Sequence, residues 1–420
     1  MNFQETTTVA LKLSVLVLVL SLLIGHGSQV GPIHTEMREG PCATVGASII
    51  PLDANLYCID DQDTVGDIAQ VKDLTTVDGY LAIYNTNLQS LDFLVNIKSI
   101  TGGLFISHNE ELTQLPAPSS LEFIGNLEIV DNPKLNDLSG LSNVTRIPGY
   151  VYIYRNPVLP SLSGFSAGMI VNGIGIGSNS NLQDLAALRT VTKSQGDVSI
   201  TDNNLSDLTD LSLLTSVDSL HLSEPNIEYL TGLENLSTIN KLLFIYVCDN
   251  LKGLDGLNPT LSYTELVLAS NPLLMTLNSL PPPAADIDRL VIDDHASLTD
   301  ISALANVSIV QQKLHITDNS SLTTLQGLEN LTYTRALTVT DNLALTSVEA
   351  LANVHQSGDL DISRNNSLTT LGMATLEYAS DFTIQDNPLL CEQDAIALKD
   401  QLANVFGVIT INGNDESCAP

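Results

Sequence analysis

The stretch K-L-H-I-T-D-N-S-S-L-T-T-L-Q-G-L-E-N-L at residues 313–331 decides the fold. Leu314 and Ile316 alternate with His315, the period-two pattern of a short strand with one face inward. Leu322, Leu325, Leu328 and Leu331 then line a return path, with Asn319 at the turn leaving the strand. The same pattern comes round every 22 to 24 residues. The first aliphatic or aromatic residues of the successive strands are Leu81, Leu104, Leu127, Val151, Ile174, Val198 and Leu220, followed by Leu243, Leu266, Leu290, Leu314, Leu337, Leu360 and Phe382. Such a period predicts a solenoid, in which each repeat buries its apolar face by stacking on its neighbours. The fold class expected is an all-β-rich solenoid: a right-handed parallel β-helix of about 14 coils over residues 81–390, between an N-terminal cap at 28–80 and a C-terminal cap at 391–420.

Asn319 has counterparts at Asn109, Asn132, Asn156, Asn179, Asn203, Asn271, Asn342, Asn365 and Asn387, with Cys248 and His295 as exceptions. An amide can satisfy backbone groups of its own turn and of the next coil, so a stacked Asn column is a structural device before it is a functional one. The absence of Trp and an aromatic content of 5% suit a narrow core filled by aliphatic layers.

The ends differ from the middle. In residues 1–27, Lys12 precedes an apolar run, Leu13 to Ile24, and then Gly25-His26-Gly27, which reads as a secretory signal segment cut near Gly27. The run is short for a membrane span, and retention as an uncleaved anchor is the alternative. Cys42 and Cys58 lie before the first coil and Cys391 and Cys418 after the last, so each pair can close one end by a disulfide. Cys248 is left over and is expected as a buried thiol. Ala395 to Phe406, with Ala395, Leu398, Leu402 and Val405 at helical spacing, predicts a small capping helix. The turn sequons at Asn143, Asn235, Asn306 and Asn330 are glycosylation candidates, whereas Asn319 and Asn365 belong to the turn column and would be poor acceptors.

The segment Asp78-Gly-Tyr-Leu-Ala-Ile-Tyr-Asn-Thr through Leu91-Asp-Phe-Leu-Val-Asn-Ile-Lys-Ser-Ile-Thr-Gly-Gly-Leu-Phe-Ile106 resembles the receptor L domain, the leucine-rich β-helix of growth-factor and insulin receptor ectodomains. The closing Asn387-Pro-Leu-Leu-Cys391 with Ile411-Asn-Gly-Asn414 and Cys418 is similar to the end of secreted proteins built from many such coils. An ordinary leucine-rich repeat is the competing type. Its turn reads N-x-L, as in Asn203-Asn-Leu205, whereas most coils read N-x-x-L, as in Asn342-Leu-Ala-Leu345. The resemblance implies a fold. It does not imply a hormone-receptor role, since no Cys-rich module or kinase accompanies it.

Function is therefore sought on the outward strand positions, the middle residue of L-x-I and the one after Ile. The aromatic members gather in the first eight coils, and the candidate binding residues are Tyr84, Phe105, Tyr152, Tyr154, His221, Phe244 and Tyr246. Gly175 and Gly177 read as a dip between two raised aromatic patches, and beyond coil eight the face reads as plain. With 48 acidic against 16 basic residues the formal net charge is −32, which repels nucleic acid and anionic membrane surfaces and tolerates cationic partners. Asp294, Asp318 and Asp341 precede the turn residue in three consecutive coils and are candidates for a weak Ca²⁺ column, and no other metal or cofactor is expected. A carboxylate, Arg or His constellation of the kind polysaccharide-active β-helices use is missing: His221 and His315 stand four coils, roughly 19 Å, apart. The expected function is an exported, non-catalytic recognition or adhesion protein that takes a protein or glycan partner, with a polysaccharide-active β-helix enzyme as the alternative. No stable membrane insertion is expected.

Overall fold

The structure is a computed structural model that describes residues 54–116 and 119–418. The chain divides into two compact units, Met1–Pro51 and Leu52–Pro420, and the described residues belong to the second. The expected signal segment at 1–27 and the pairing of Cys42 with Cys58 therefore lie outside the described residues.

The dominant element is an 18-stranded parallel sheet. Its principal strands are numbered here along the chain as β1 (Leu56–Ile59), β2 (Tyr80–Tyr84), β3 (Gly103–Ser107), β4 (Leu127–Val130), β5 (Tyr150–Tyr154), β6 (Gly173–Gly177), β7 (Val198–Thr201) and β8 (Leu220–Ser223). They continue as β9 (Leu242–Tyr246), β10 (Glu265–Ala269), β11 (Asp286–Asp293), β12 (Ile309–Thr317), β13 (Tyr333–Thr340), β14 (Gln356–Ser363), β15 (Phe382–Gln385) and β16 (Ile409–Asn412). Each residue expected to open a strand stands directly across from the next, Leu81 against Leu104 and Leu104 against Leu127 through to Leu360 against Phe382. One further strand lies at each end, β1 pairing Tyr57 with Leu81 and β16 pairing Ile409 with Phe382. The repeat thus reaches into both segments expected as caps.

The core follows from the alternation. Leu314, Ile316, Leu322, Leu325, Leu328 and Leu331 are all fully buried, as are their equivalents in neighbouring coils. Burial of each such side chain is worth about 1.5–3 kcal/mol, and since a coil's core is completed by its neighbours this stabilisation comes from stacking. The return side carries short 3₁₀ turns, such as Ser139–Leu141 and Ser302–Leu304. It also carries two small parallel sheets, one of Thr76–Val77, Ser99–Ile100 and Phe123–Ile124 and one of four two-residue strands between Ile170 and Ile239.

The strand-leaving corner is built by two adjacent columns. In the first, one residue per turn is left-handed: Asn85, His108, Asp131, Arg155, Ser178 and Asp202, then Val247, Ser270, Asp294, Asp318, Asp341, Arg364 and Asp386, all with φ between 51° and 60°. Its backbone N–H donates to the next coil, as Asp294 does to Thr317 at 3.0 Å. Asn, Asp and His are the non-glycine residues that tolerate this conformation best, which explains much of the column's composition. The second column is the buried Asn ladder. Asn342 Nδ2 donates to Thr340 O in its own coil and to Ile316 O in the coil before, both at 2.9 Å, while its Oδ1 accepts the Asn319 N–H at 3.1 Å. Thr86 starts the ladder on Asn109 and Asn414 ends it on Asn387.

Besides Cys248 and His295, the ladder holds a third exception that the repeat spacing hid, Glu224. No left-handed residue intervenes between Ser223 and Glu224, so this turn is one residue short. The longer Glu side chain reaches the vacated rung, its Oε1 accepting from Asn203 N at 3.1 Å and Asn203 Nδ2 at 2.7 Å.

At the C-terminal end, α2 spans Glu392–Gln401, starting and ending before the Ala395–Phe406 helix expected from periodicity. Ala395 and Leu398 are buried as anticipated, but Asn404–Val405 leaves the helix to pair with Tyr378–Ala379. The first helix, α1 at Thr64–Val71, was not anticipated. Asp63 caps it by accepting from Gly66 N at 3.1 Å, and Val71 faces the core. Cys391 and Cys418 form a disulfide with Cα atoms 5.7 Å apart, and Cys248 is a free, fully buried thiol. Burial pushes that thiol up to about 12.

Candidate functional site

The outward face of the sheet is set by strict register. One row across it reads Phe105, Glu128, Tyr152, Gly175, Ser199, His221, Phe244 and Val267, each opposite the next. Side chains in such a row stand about 4.8 Å apart, so bulky rings must tilt or lie across neighbours.

Tyr152 and Tyr154 do the latter. Their neighbours on β6 are Gly175 and Gly177, and the rings occupy the space those glycines leave open. A methyl group on Gly175 would stand 2.7 Å from the Tyr154 hydroxyl oxygen, and one on Gly177 would overlap the Tyr154 ring. The Tyr154 hydroxyl reaches on to Ser199, a strand further. The dip expected at Gly175 and Gly177 is therefore filled; the glycines are the floor beneath a tyrosine layer. Tyr150, which the alternation rule also points outward but which the sequence reading passed over, stacks on Tyr152 with ring centroids 4.6 Å apart.

The second patch is formed by His221, Phe244 and Tyr246. Phe244 and Tyr246 stack at 4.2 Å, and His221 meets Phe244 edge-on at 5.9 Å. Burial lowers the His221 pKa and raises those of Tyr152 and Tyr154, so all three are neutral at neutral pH. The Tyr84 ring lies tilted against that of His108, with centroids 5.2 Å apart, near the sheet's left-handed corner.

Two expected binding residues are not available on the surface. Phe105 is fully buried, with the Tyr80 ring 5.7 Å away, and Phe244 is 3% exposed beneath its stacked neighbours. Alternation tells which way a side chain points, and these two point outward, but adjacent rings then cover them. Tyr84, Tyr152, Tyr154, His221 and Tyr246 retain partial exposure.

The face beyond β9 is not plain. Arg289 forms a buried ion pair with Glu265 across β10 and β11, and Lys313 stands next in the same row. Asp293 lies at the far end of β11, pushed up to about 6 by burial and by the neighbouring Asp318 and Asp294, and His315 is pushed down to about 4 by burial. Glu265, Arg289 and Lys313 sit one position before the first aliphatic residue, outside the two outward positions considered from the sequence, whereas Asp293 and His315 occupy those positions in the stretch expected to be plain.

Asp294, Asp318 and Asp341 do stack, but as left-handed corner residues. The Arg364 guanidinium grips both Asp341 oxygens at 2.8 and 2.7 Å, which removes that carboxylate as a cation ligand. Among the described residues no three His, Cys, Asp or Glu side chains gather as a metal site would require. A small depression lined by Thr299, Asp300, Ile301, Ser302, Thr324 and Gln326 holds one ionisable group, and Asp300 there accepts the Ser302 N–H at 2.8 Å. It offers no acid/base pair.

Three of the four sequon amides on the return side are engaged. Asn143, Asn235 and Asn330 donate to Ser119, Ser212 and Ala305 carbonyls of the preceding coil. Asn306 is exposed. Asn319 and Asn365 are fully buried ladder members. No helix among the described residues is long and apolar enough to cross a membrane.

Residues 57–136 match the family model of the receptor L domain, covering the segment whose resemblance the sequence shows. No curated protein matches the chain. Among solved structures, an internalin of Listeria monocytogenes is similar over 83% of each chain, at 16% identity and a TM-score of 0.37. A leucine-rich-repeat protein of Leptospira interrogans is similar over 85% of this chain and 95% of its own, also at 16% identity and a TM-score of 0.37.

Proposed function

We propose that this chain is an exported, non-catalytic recognition or adhesion protein that binds a protein or glycan partner through the outward face of its parallel sheet. The observation that carries the reading is the tyrosine layer laid over the glycines of β6, with the Phe244/Tyr246 stack three strands away. Tyrosine offers a large, rigid, amphipathic contact with little conformational entropy to lose, which is what an interface anchor requires. Receptor L domains and leucine-rich repeats are in general binding scaffolds, in keeping with this use. We read the solenoid as right-handed, with about 14 coils between its caps, residues 1–27 as a secretory segment and Cys42–Cys58 as the second cap disulfide. The Cys391–Cys418 bond suits an oxidising compartment. Of the sequons, Asn306 is the best placed for a glycan, because its amide is not committed to the preceding coil.

The test is a protein and glycan binding screen on the secreted fragment, followed by the double variant Tyr152→Ala/Tyr154→Ala. Two aromatic anchors at about 2 kcal/mol each correspond to roughly a thousandfold loss of affinity. Thr338→Ala with Thr383→Ala, on the far end of the same face, should stay within a few-fold. Because the tyrosines shield β6, melting curves must accompany the binding data. Turnover of acidic polysaccharides in a parallel assay would point instead to the β-helix enzyme.

A further inference from the structure

Glu128 is out of place on this face. Its carboxylate is half-buried, and among the described residues it has neither a hydrogen bond nor an ion pair. The Arg155 guanidinium is committed to Asp131 through two bonds of 2.6 Å, and His108 leans on the same Asp131 at 3.4 Å. Rings frame the carboxylate on both sides. Phe105 precedes Glu128 in the row and Tyr152 follows it, while Tyr80 packs on Phe105 at 5.7 Å and Tyr150 on Tyr152 at 4.6 Å. The strand position between Tyr80 and Tyr150 offers little bulk, because Gly103 stands opposite Tyr80 and the Asn126 amide is folded back on Gly102 O at 2.6 Å. Burial raises the Tyr150 pKa, and the charge of Glu128 adds to the rise. The Tyr150 hydroxyl is itself buried with no partner in the protein.

A carboxylate without partners and flanked by aromatic rings is an arrangement that attracts an organic cation: a ring quadrupole offers a negative face and the carboxylate supplies charge. An anionic group is repelled there. We infer that Glu128, beside Tyr150 and Tyr152 and with Tyr80 on its other side, is a cage for an alkylammonium group, supplied as a lysine side chain of a protein partner. A net charge of −32 selects a basic partner for the surrounding surface as well. The inference rests on the outward face being the binding face and names what it takes.

The test is calorimetric titration of the protein with a capped pentapeptide bearing two lysines, at low salt, against the same peptide Nε-acetylated. The lysine peptide should bind and the acetylated one should not. Glu128→Gln should weaken binding at least tenfold while melting no lower than the parent, since it removes an unpaired half-buried charge. Asp359→Asn, an exposed acid on β14, should change affinity less than twofold and controls for general attraction to an acidic protein. Absence of binding to the parent protein, or equal losses from Glu128→Gln and Asp359→Asn, overturns the inference. If a partner from the screen needs Tyr152 and Tyr154 but is indifferent to Glu128→Gln, the binding-face reading stands and the cage falls.

Discussion

Glu224 holds its Oε1 2.7 Å from Asn203 Nδ2, standing in a ladder position that asparagine fills on most neighbouring coils. The substitution is forced by a turn one residue shorter than its neighbours, and it places a carboxyl group in a fully buried column. Burial pushes Glu224 up to about 7, from an ordinary 4.5. Because the folded value is the higher one, its stabilising contribution is complete below pH 4.5 and is lost as pH rises through 7. The loss is on the order of 3 kcal/mol at most, from a shift between 4.5 and about 7. Glu224→Gln keeps the acceptor and should flatten this slope, so that at pH 8 the variant is more stable than the parent and at pH 4 nearly equal. Urea melts at both values measure it. Asp293, raised to about 6, acts in the same direction and sets the residual slope.

His295 breaks the ladder differently. Its Nδ1 accepts the Asn271 N–H at 3.3 Å, while its Nε2 and the Oδ1 of Asn319 in the next coil are both buried without a partner in the protein. His295→Asn should restore both rungs and raise stability by about 1–2 kcal/mol. It should also soften acid unfolding. Burial holds His295 down at about 4, so the stability it contributes is present above pH 6.5 and disappears as pH falls toward 4. Equal acid limbs for variant and parent would contradict this.

Val247 is a β-branched residue in the left-handed column, at φ 51°. That conformation is strained for a branched side chain and comfortable for Asn. Val247→Asn is expected to stabilise the fold by about 1 kcal/mol, whereas the same change at a regular strand position would not.

The strand phase is tested by charge insertion. Ile316→Asp places an unpaired carboxylate in the core and should cost several kcal/mol. Thr317 is an unsuitable control, because it is 9% exposed and its hydroxyl lies 3.1 Å from that of Thr340. Thr323, exposed on the turn, serves instead, and Thr323→Asp should stay within about 0.5 kcal/mol.

The strand positions were legible because a repeat of 22 to 24 residues can be laid only one way onto a parallel sheet, and Leu314 and Ile316 fix its phase. The Asn column was legible for the same reason. Glu224 escaped because it stands one residue early, so a fixed offset from Leu220 lands on Pro225. The site was legible only in part. Alternation pointed Phe105, Tyr152 and Phe244 outward, yet whether an outward ring meets solvent depends on which neighbours lie across it, and that is a property of tertiary packing. Tyr150, Arg289 and Lys313 occupy the position just before the first aliphatic residue, which alternation also points outward. The corner role of Asp294, Asp318 and Asp341 was not visible, because an aspartate before a turn reads equally well as a left-handed residue and as a ligand.

The interrupted ladder has a mechanical consequence. From Thr86 to Asn203, and again from Asn319 to Asn414, the hydrogen-bonded rungs follow one another without a break; Glu224, Cys248 and His295 all fall between. In a stack held by nearest-neighbour terms, weak couplings localise where the stack gives way. Pulled from its ends, the molecule should therefore part first between coils seven and eleven, releasing chain from the middle while two shorter stacks stay closed on either side.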